Sequence, residues 1–147
     1  MKISAKSRYA LAALIQMGQL GAGERPITIQ QLSDKLNISK IYLEQVFSLL
    51  KRAGIVSSSR GAQGGYRFTR PLREITAYDI LLATENTLFQ KTEQSLAGDA
   101  LGIETVLQKE VFTELDSAVR KALTGVKLDF LVEQSLQQTE DAYMFYL

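Results

Sequence analysis

The 147-residue chain has no cysteine and no histidine, and only two prolines. Without cysteine there is no disulfide framework, no thiolate metal site and no cysteine nucleophile. Without histidine, the commonest general base and the commonest metal ligand are both missing. No paired-carboxylate pattern or phosphate loop stands out, so the sequence reads as a non-enzyme without a cofactor. No apolar run approaches the length of a membrane span. Lys2, Lys6 and Arg8 precede a short apolar run, Tyr9 to Ile15. Gln16 and Gln19 break the apolar character beyond it and no A-x-A-like site is evident, so the start is not read as a secretory leader and the expected location is the cytoplasm.

The charge that is present is unevenly placed. Residues 1–75 hold 12 Lys/Arg and 4 Asp/Glu, a net +8, whereas residues 76–147 hold 5 and 12, a net −7. A basic first half suits contact with a polyanion. The alternative is two solvated surfaces of opposite sign, and the motifs of the basic half favour the former. The length fits one domain, or one small domain with an oligomerisation arm.

The basic half centres on residues 38–68. Ser39 is a good N-cap, and Ile38 with Leu43 forms a hydrophobic staple. Leu43, Val46, Phe47 and Leu50 share one helical face and should point at a core, leaving Ile41, Gln45, Ser48 and Arg52 outward with Glu44 on the flank. Gly54 suits the position just past the helix end. Gln pairs with adenine and Glu accepts from the cytosine amino group, although a plain solvated face has the same composition. Next, Ile55-Val56-Ser57 and Tyr66-Arg67-Phe68 read as strands joined by Arg60-Gly61-Ala62-Gln63-Gly64-Gly65. The three glycines permit positive φ and close approach of a partner. Arg60 sits at the first bend, where a narrow minor groove attracts arginine. Upstream, Thr28 and Gln31 form a capping box and Ile27 with Leu32 a staple for a short helix to about Leu36, after which Asn37 turns the chain. The two helices read as a helix-turn-helix and the hairpin as its wing.

A first helix is expected over 5–20, with Tyr9, Ala13, Leu14, Met17 and Leu20 as its buried stripe and Gly21-Ala22-Gly23 ending it. Ser4, Lys6 and Arg8 at its start offer backbone amides and positive charge to a phosphate. Past the wing, Pro71 breaks the strand. Ile75 and Ile80, with Thr76 and Asp79, repeat the staple and capping box, so a short helix should run to about Thr84 and pack under the wing. Residues 85–102 are the least patterned, a plain linker or the wall of an effector pocket. Residues 103–123 carry Ile103, Val106, Leu107, Val111, Leu115, Ala118, Val119, Ala122 and Leu123 at helical spacing. Such a helix is about 30 Å long, more than a small winged helix needs for its own core, and is read as a dimerisation helix, the alternative being a helix folded back on its own domain. Leu128, Phe130, Leu131 and Leu136 suggest a last short helix. The expected architecture is mainly α with a small β-hairpin. A winged helix-turn-helix covers 1–84, a linker or effector loop 85–102, and a dimerisation helix with a C-terminal tail 103–147.

Several of these segments together resemble the Rrf2 family of bacterial transcription regulators. They are Ile3-Ser4-Ala5-Lys6-Ser7-Arg8-Tyr9-Ala10, Tyr42-Leu43-Glu44-Gln45, Ala53-Gly54-Ile55-Val56, Arg60-Gly61 with Gly64-Gly65-Tyr66, and Ile75-Thr76. The resemblance implies a dimeric repressor on a palindromic operator. Ser39, Tyr42, Glu44, Gln45 and Ser48 then lie in or beside the major groove. Arg60, Gly61, Gly64 and Gly65 lie at the minor groove, and Lys6, Arg8, Lys40, Arg52 and Arg67 face phosphates. Many relatives carry three cysteines in the stretch matching 85–102 that hold an iron–sulfur cluster. This chain has none, so sensing of that kind is expected to be absent. The lack of cysteine, the opening Met1-Lys2-Ile3-Ser4 and the tail Ala142-Tyr143-Met144-Phe145-Tyr146 resemble one branch of the family, which represses cysteine metabolism genes with cysteine synthase as co-repressor. That enzyme captures C-terminal peptides ending in isoleucine, and Leu147 is a near match. The tail, Tyr143 to Leu147, either docks on its own dimer or serves as a ligand for a partner.

Overall fold

The structure is a computed structural model, and it describes residues 1–21 and 24–146, the side chain of Tyr146 apart. Ala22 and Gly23 of the expected first-helix terminator, and Leu147 of the tail, lie outside the described residues. Helices α1 (Ala5–Gln19), α2 (Ile29–Leu36) and α3 (Lys40–Arg52) come first, followed by strands β1 (Val56–Ser59) and β2 (Gly65–Phe68). After a 3-10 turn (Leu72–Glu74) comes α4 (Ala77–Thr84), and after a second one (Gly98–Ala100) come α5 (Leu101–Leu107), α6 (Thr113–Thr124) and α7 (Leu128–Tyr146). The result is mainly helical with one antiparallel hairpin, in which Val56 pairs with Phe68 and Ser59 with Gly65.

The helix starts arise from side chains that accept the free backbone N–H groups of a first turn. Ser39 accepts from the Tyr42 N–H at 3.2 Å. Thr28 with Gln31, and Thr76 with Asp79, close reciprocal capping boxes. Asn37 takes a left-handed conformation, φ 54°, to end α2 and turn the chain into α3. Gly54, at φ +75°, comes just after the end of α3.

The core gathers Ala10, Ala13, Leu14 and Met17 of α1, Leu32 of α2, and Leu43, Val46, Phe47 and Leu50 of α3, with Ile27, Ile55, Val56, Ile75 and Ile80. The inward face expected for α3 is therefore the observed one. Burying one such large side chain contributes about 1.5–3 kcal/mol. The Tyr66 ring lies 4.7 Å from that of Phe47, which seats β2 against α3. Tyr9, expected in the buried stripe of α1, is 37% exposed and stands edge-on to Tyr42, with ring centroids 5.1 Å apart. An amphipathic stripe places Tyr9 only at the margin of the core, and the ring–ring contact draws it outward. Helix α4, expected under the wing, packs mainly against α1, α3 and α6, burying Ala77, Ile80, Leu81 and Thr84, and it meets the base of the wing through the Arg70–Asp79 ion pair at 3.3 Å.

Two larger departures lie in the second half. The long helix starts at Leu101 and is interrupted by a π-helical turn, Gln108–Phe112, between α5 and α6. The last helix is 19 residues long rather than short, and it takes in the tail to Tyr146. Its first half belongs to the N-terminal core. Leu128 is fully buried there, Val132 nearly so, and the Gln19 amide donates to Ser135 at 2.7 Å. The Leu128 N–H donates to the Ile75 carbonyl at 2.8 Å, and the Ala77 N–H to Val126 at 2.9 Å.

Candidate nucleic-acid interface

The capping and packing just described leave one face of α3 free. Lys40, Ile41, Glu44, Gln45, Ser48 and Arg52 are exposed on it. Among the described residues, the side chains of Lys40, Glu44, Gln45, Ser48 and Arg52 have no hydrogen-bond or ion-pair partner. Polar atoms in that state are available to base edges or phosphates. Ser39 is exposed, but its hydroxyl is committed to the cap. Tyr42 is half-buried against Tyr9.

The start of α1 borders this face. Lys6 lines one shallow depression together with Ile41, Glu44, Gln45, Ser48 and Leu49. Arg8 lines a second with Lys2, Tyr9, Asn37 and Ile38. The expected group therefore assembles from two elements, and it gains three residues not singled out from sequence as contacts. Ile41 is an exposed apolar side chain of the kind that meets a thymine methyl. Lys2 adds charge. Tyr9 was missed because helical periodicity assigned it inward, and no local signal marks its pairing with Tyr42.

Ser4 differs from expectation. Its N–H, expected to be open to a phosphate, donates to Glu85 Oε1 at 2.8 Å, and its hydroxyl caps α1 by accepting from the Ser7 N–H at 3.1 Å. The Ser7 hydroxyl meets that of Thr84 at 2.7 Å. The Ser4 N–H holds the Glu85 carboxyl below its ordinary value, helped by the Ser7 and Ser4 hydroxyls and the charge of Lys6, while burial acts the other way. A carboxylate with a lowered folded pKa adds stability above its unfolded pKa and loses it as pH falls. Glu85→Gln should therefore flatten the decline in melting temperature below about pH 4.5. An acid limb parallel to wild type would show that this contact adds nothing.

On the wing, Arg60 is exposed at the turn and, among the described residues, has no partner. The Arg67 guanidinium leans on the Glu24 carbonyl at 3.4 Å. Gly61 is exposed at φ +101°, with open space where a Cβ would stand. Gly64 and Gly65 answer to the protein's own backbone. A Cβ on Gly64 would stand 2.5 Å from the Ser59 carbonyl oxygen, and one on Gly65, at φ +147°, 2.7 Å from that of Ile27. The close approach inferred for these glycines is thus made by the chain itself, with Ile27 and Tyr66 exchanging hydrogen bonds at 2.9 and 2.8 Å.

A helix-turn-helix whose second helix keeps an unpaired polar face, joined to a hairpin with an exposed arginine, is the winged helix of DNA-binding regulators. Residues 3–134 match the Rrf2 family, described as iron-dependent transcriptional regulators, and the chain belongs to that family. It is 33% identical over its full length to the transcriptional regulator CymR of Bacillus subtilis, all of which is covered. It is 32% identical to IscR of Aliivibrio salmonicida over 96% of this chain and 83% of that one. Among solved structures it is similar to B. subtilis CymR, with a TM-score of 0.73 and 32% identity over 91% of this chain and 98% of the other. These relatives are transcription regulators, not enzymes.

Iron held as a cluster does not suit the residues present. The chain offers neither thiol nor imidazole, the ligands that hold such clusters. Two carboxylates of the 85–104 region are already engaged. Glu85 binds the Ser4 N–H, and Glu104, 2% exposed, accepts from the Leu96 N–H at 3.1 Å and from the Gln108 amide at 3.3 Å. Among the described residues no helix is long and apolar enough to cross a membrane.

Proposed function

We propose that the protein is a cytoplasmic, homodimeric repressor that binds a palindromic operator at genes of cysteine or sulfur metabolism and needs no iron–sulfur cluster. The observation that carries this reading is the unpaired face of α3 bordered by Lys6, in a chain similar to CymR from end to end. Gln45, Glu44 and Ser48 read bases, Arg60 enters the minor groove, and Lys6, Arg8, Lys40 and Arg52 hold phosphates. The dimer is supported by Ile103, Val106, Val111 and Leu115, which stand exposed along α5, the π-helical turn and α6.

The test is selection of bound duplexes from a random pool by the purified protein, alone and with cysteine synthase. A palindromic consensus is expected. Arg60→Ala should then weaken operator binding about 10-fold or more and lower the salt slope by about one, whereas Gln45→Ala should relax base preference at one position of each half-site. Wild-type affinity and slope for Arg60→Ala would remove the wing from the contact. Absence of a consensus under both conditions would remove the repressor reading.

A second role, as a partner-binding module, is favoured by the end of α7. Tyr143, Met144 and Phe145 are 71%, 77% and 89% exposed, and Tyr143 lines an apolar groove with Gln138, Thr139 and Ala142. A consensus that appears only when cysteine synthase is present would assign that surface to a co-repressor.

A further inference from the structure

A polar cleft of about 600 Å³ lies between the linker and the long helix, lined by Lys91, Thr92, Gln94, Gln108, Thr113, Asp116, Ser117 and Arg120. Its two walls are fixed to one another. The Gln108 amide donates to the Thr92 carbonyl at 3.3 Å and to Glu104 at 3.3 Å, and the buried Glu104 holds the Leu96 N–H. Phe89 stands edge-on to Tyr78 of α4, with centroids 5.0 Å apart. The stretch that the sequence left as either a plain linker or the wall of an effector pocket is therefore anchored on three sides.

The π-helical turn has a purpose here. On α6, Thr113, Asp116, Ser117 and Arg120 are spaced by three and four and form one stripe. In an unbroken α-helix Gln108 would lie roughly 140° around the axis from Thr113. In the π turn the Thr113 N–H bonds the Gln108 carbonyl, so the two stack. Such turns are rare and cluster at functional sites. This one brings the residue that clamps the linker onto the same face as the stripe.

The charges in the cleft are not neutralised. Among the described residues, Lys91, Asp116 and Arg120 form no ion pair. Arg120 instead lies over the Tyr78 ring, 5.3 Å from its centroid. Two cations, one carboxylate, three hydroxyls and two amides make a polar site with both signs of charge. We propose that this cleft binds a small polar α-amino acid as its zwitterion. The carboxylate meets the planar fork of Arg120 and the Lys91 ammonium, the ammonium meets Asp116, and the hydroxyls and the Gln94 amide receive the side chain.

The test is titration calorimetry of the full chain without DNA, so that its result is independent of the repressor reading. L-serine and L-glutamine are the probes, with succinate and ethanolamine as controls that each lack one charge of the zwitterion. At up to about 10 mM even a millimolar site is well occupied. One amino acid should bind saturably and the controls should not. Arg120→Gln and Asp116→Asn should each weaken binding about 10-fold or more. If Arg120→Gln fails to fold, as judged by its melting curve, Lys91→Gln on the linker wall serves instead. Absence of saturable binding by either amino acid, binding of succinate alone, or binding unchanged in these variants would each overturn the proposal.

Discussion

Gly65→Val detaches the wing from the body. At φ +147° the valine is strained, and its Cβ stands 2.7 Å from the Ile27 carbonyl oxygen and 2.8 Å from the carbonyl carbon. Neither atom can swing aside, because both are backbone. The Ile27 segment and β2 must separate, and the two hydrogen bonds between Ile27 and Tyr66 go with them. Backbone strain costs about 1–3 kcal/mol and each of the two lost hydrogen bonds about 0.5–1.5 kcal/mol, so the total is about 2–6 kcal/mol. For a chain of this size that is a fall in Tm of roughly 5–20 °C. Gly61→Ala is the matched comparison. It also imposes positive φ on a side chain, but with nothing within 4 Å of the added carbon, so it should cost about 1 kcal/mol. Equal melting temperatures for the two variants would show that the contact with Ile27 does not hold the wing.

The second large effect concerns assembly. Val106→Glu with Leu115→Glu places two carboxylates on the face proposed as the dimer seam. Both positions are more than half exposed in the single chain, at 57% and 55%, so the protomer should fold with an unchanged helical spectrum. Sedimentation should show a monomer at micromolar concentration. Operator affinity should drop at least about 100-fold, because each half-site then binds without the high effective concentration supplied by its twin. A variant that remains dimeric and binds the operator as wild type would place the seam elsewhere.

What sequence revealed was mostly local. N-caps and capping boxes at Thr28, Ser39 and Thr76 depend on residues three apart, and each formed as read. The inward face of α3 was equally legible, since four apolar side chains at helical spacing have one way to be buried. Features set by distant partners were not. Gly65 advertised a close approach, but nothing nearby in sequence names Ile27 as the neighbour. Tyr9 fits an apolar stripe equally well whether it faces the core or Tyr42. The π turn shifts a helical pattern by a single residue, within the tolerance of any periodicity. The polar run Gln137 to Asp141 concealed that α7 continues to the aromatic end. For the interface itself, the outward residues of α3 were identifiable, whereas the bordering of Lys6 on that face came only from packing of α1 against α3.

The docking of α7 has a consequence for how the protein is made. The core of the winged helix includes Leu128 and Val132, and Gly18 on α1 lies against Val132 with no room for a Cβ. When the ribosome has completed α4, that core still lacks its last two side chains. At about 5–20 residues per second, the nearly 50 residues from Glu85 to Val132 take roughly 2–10 s to synthesise. During that interval the α1 surface that receives α7 faces water. The nascent winged helix is thus unfinished until the first half of α7 has been made, and a message truncated before α7 yields a chain with an open core rather than a free-standing DNA-binding fragment.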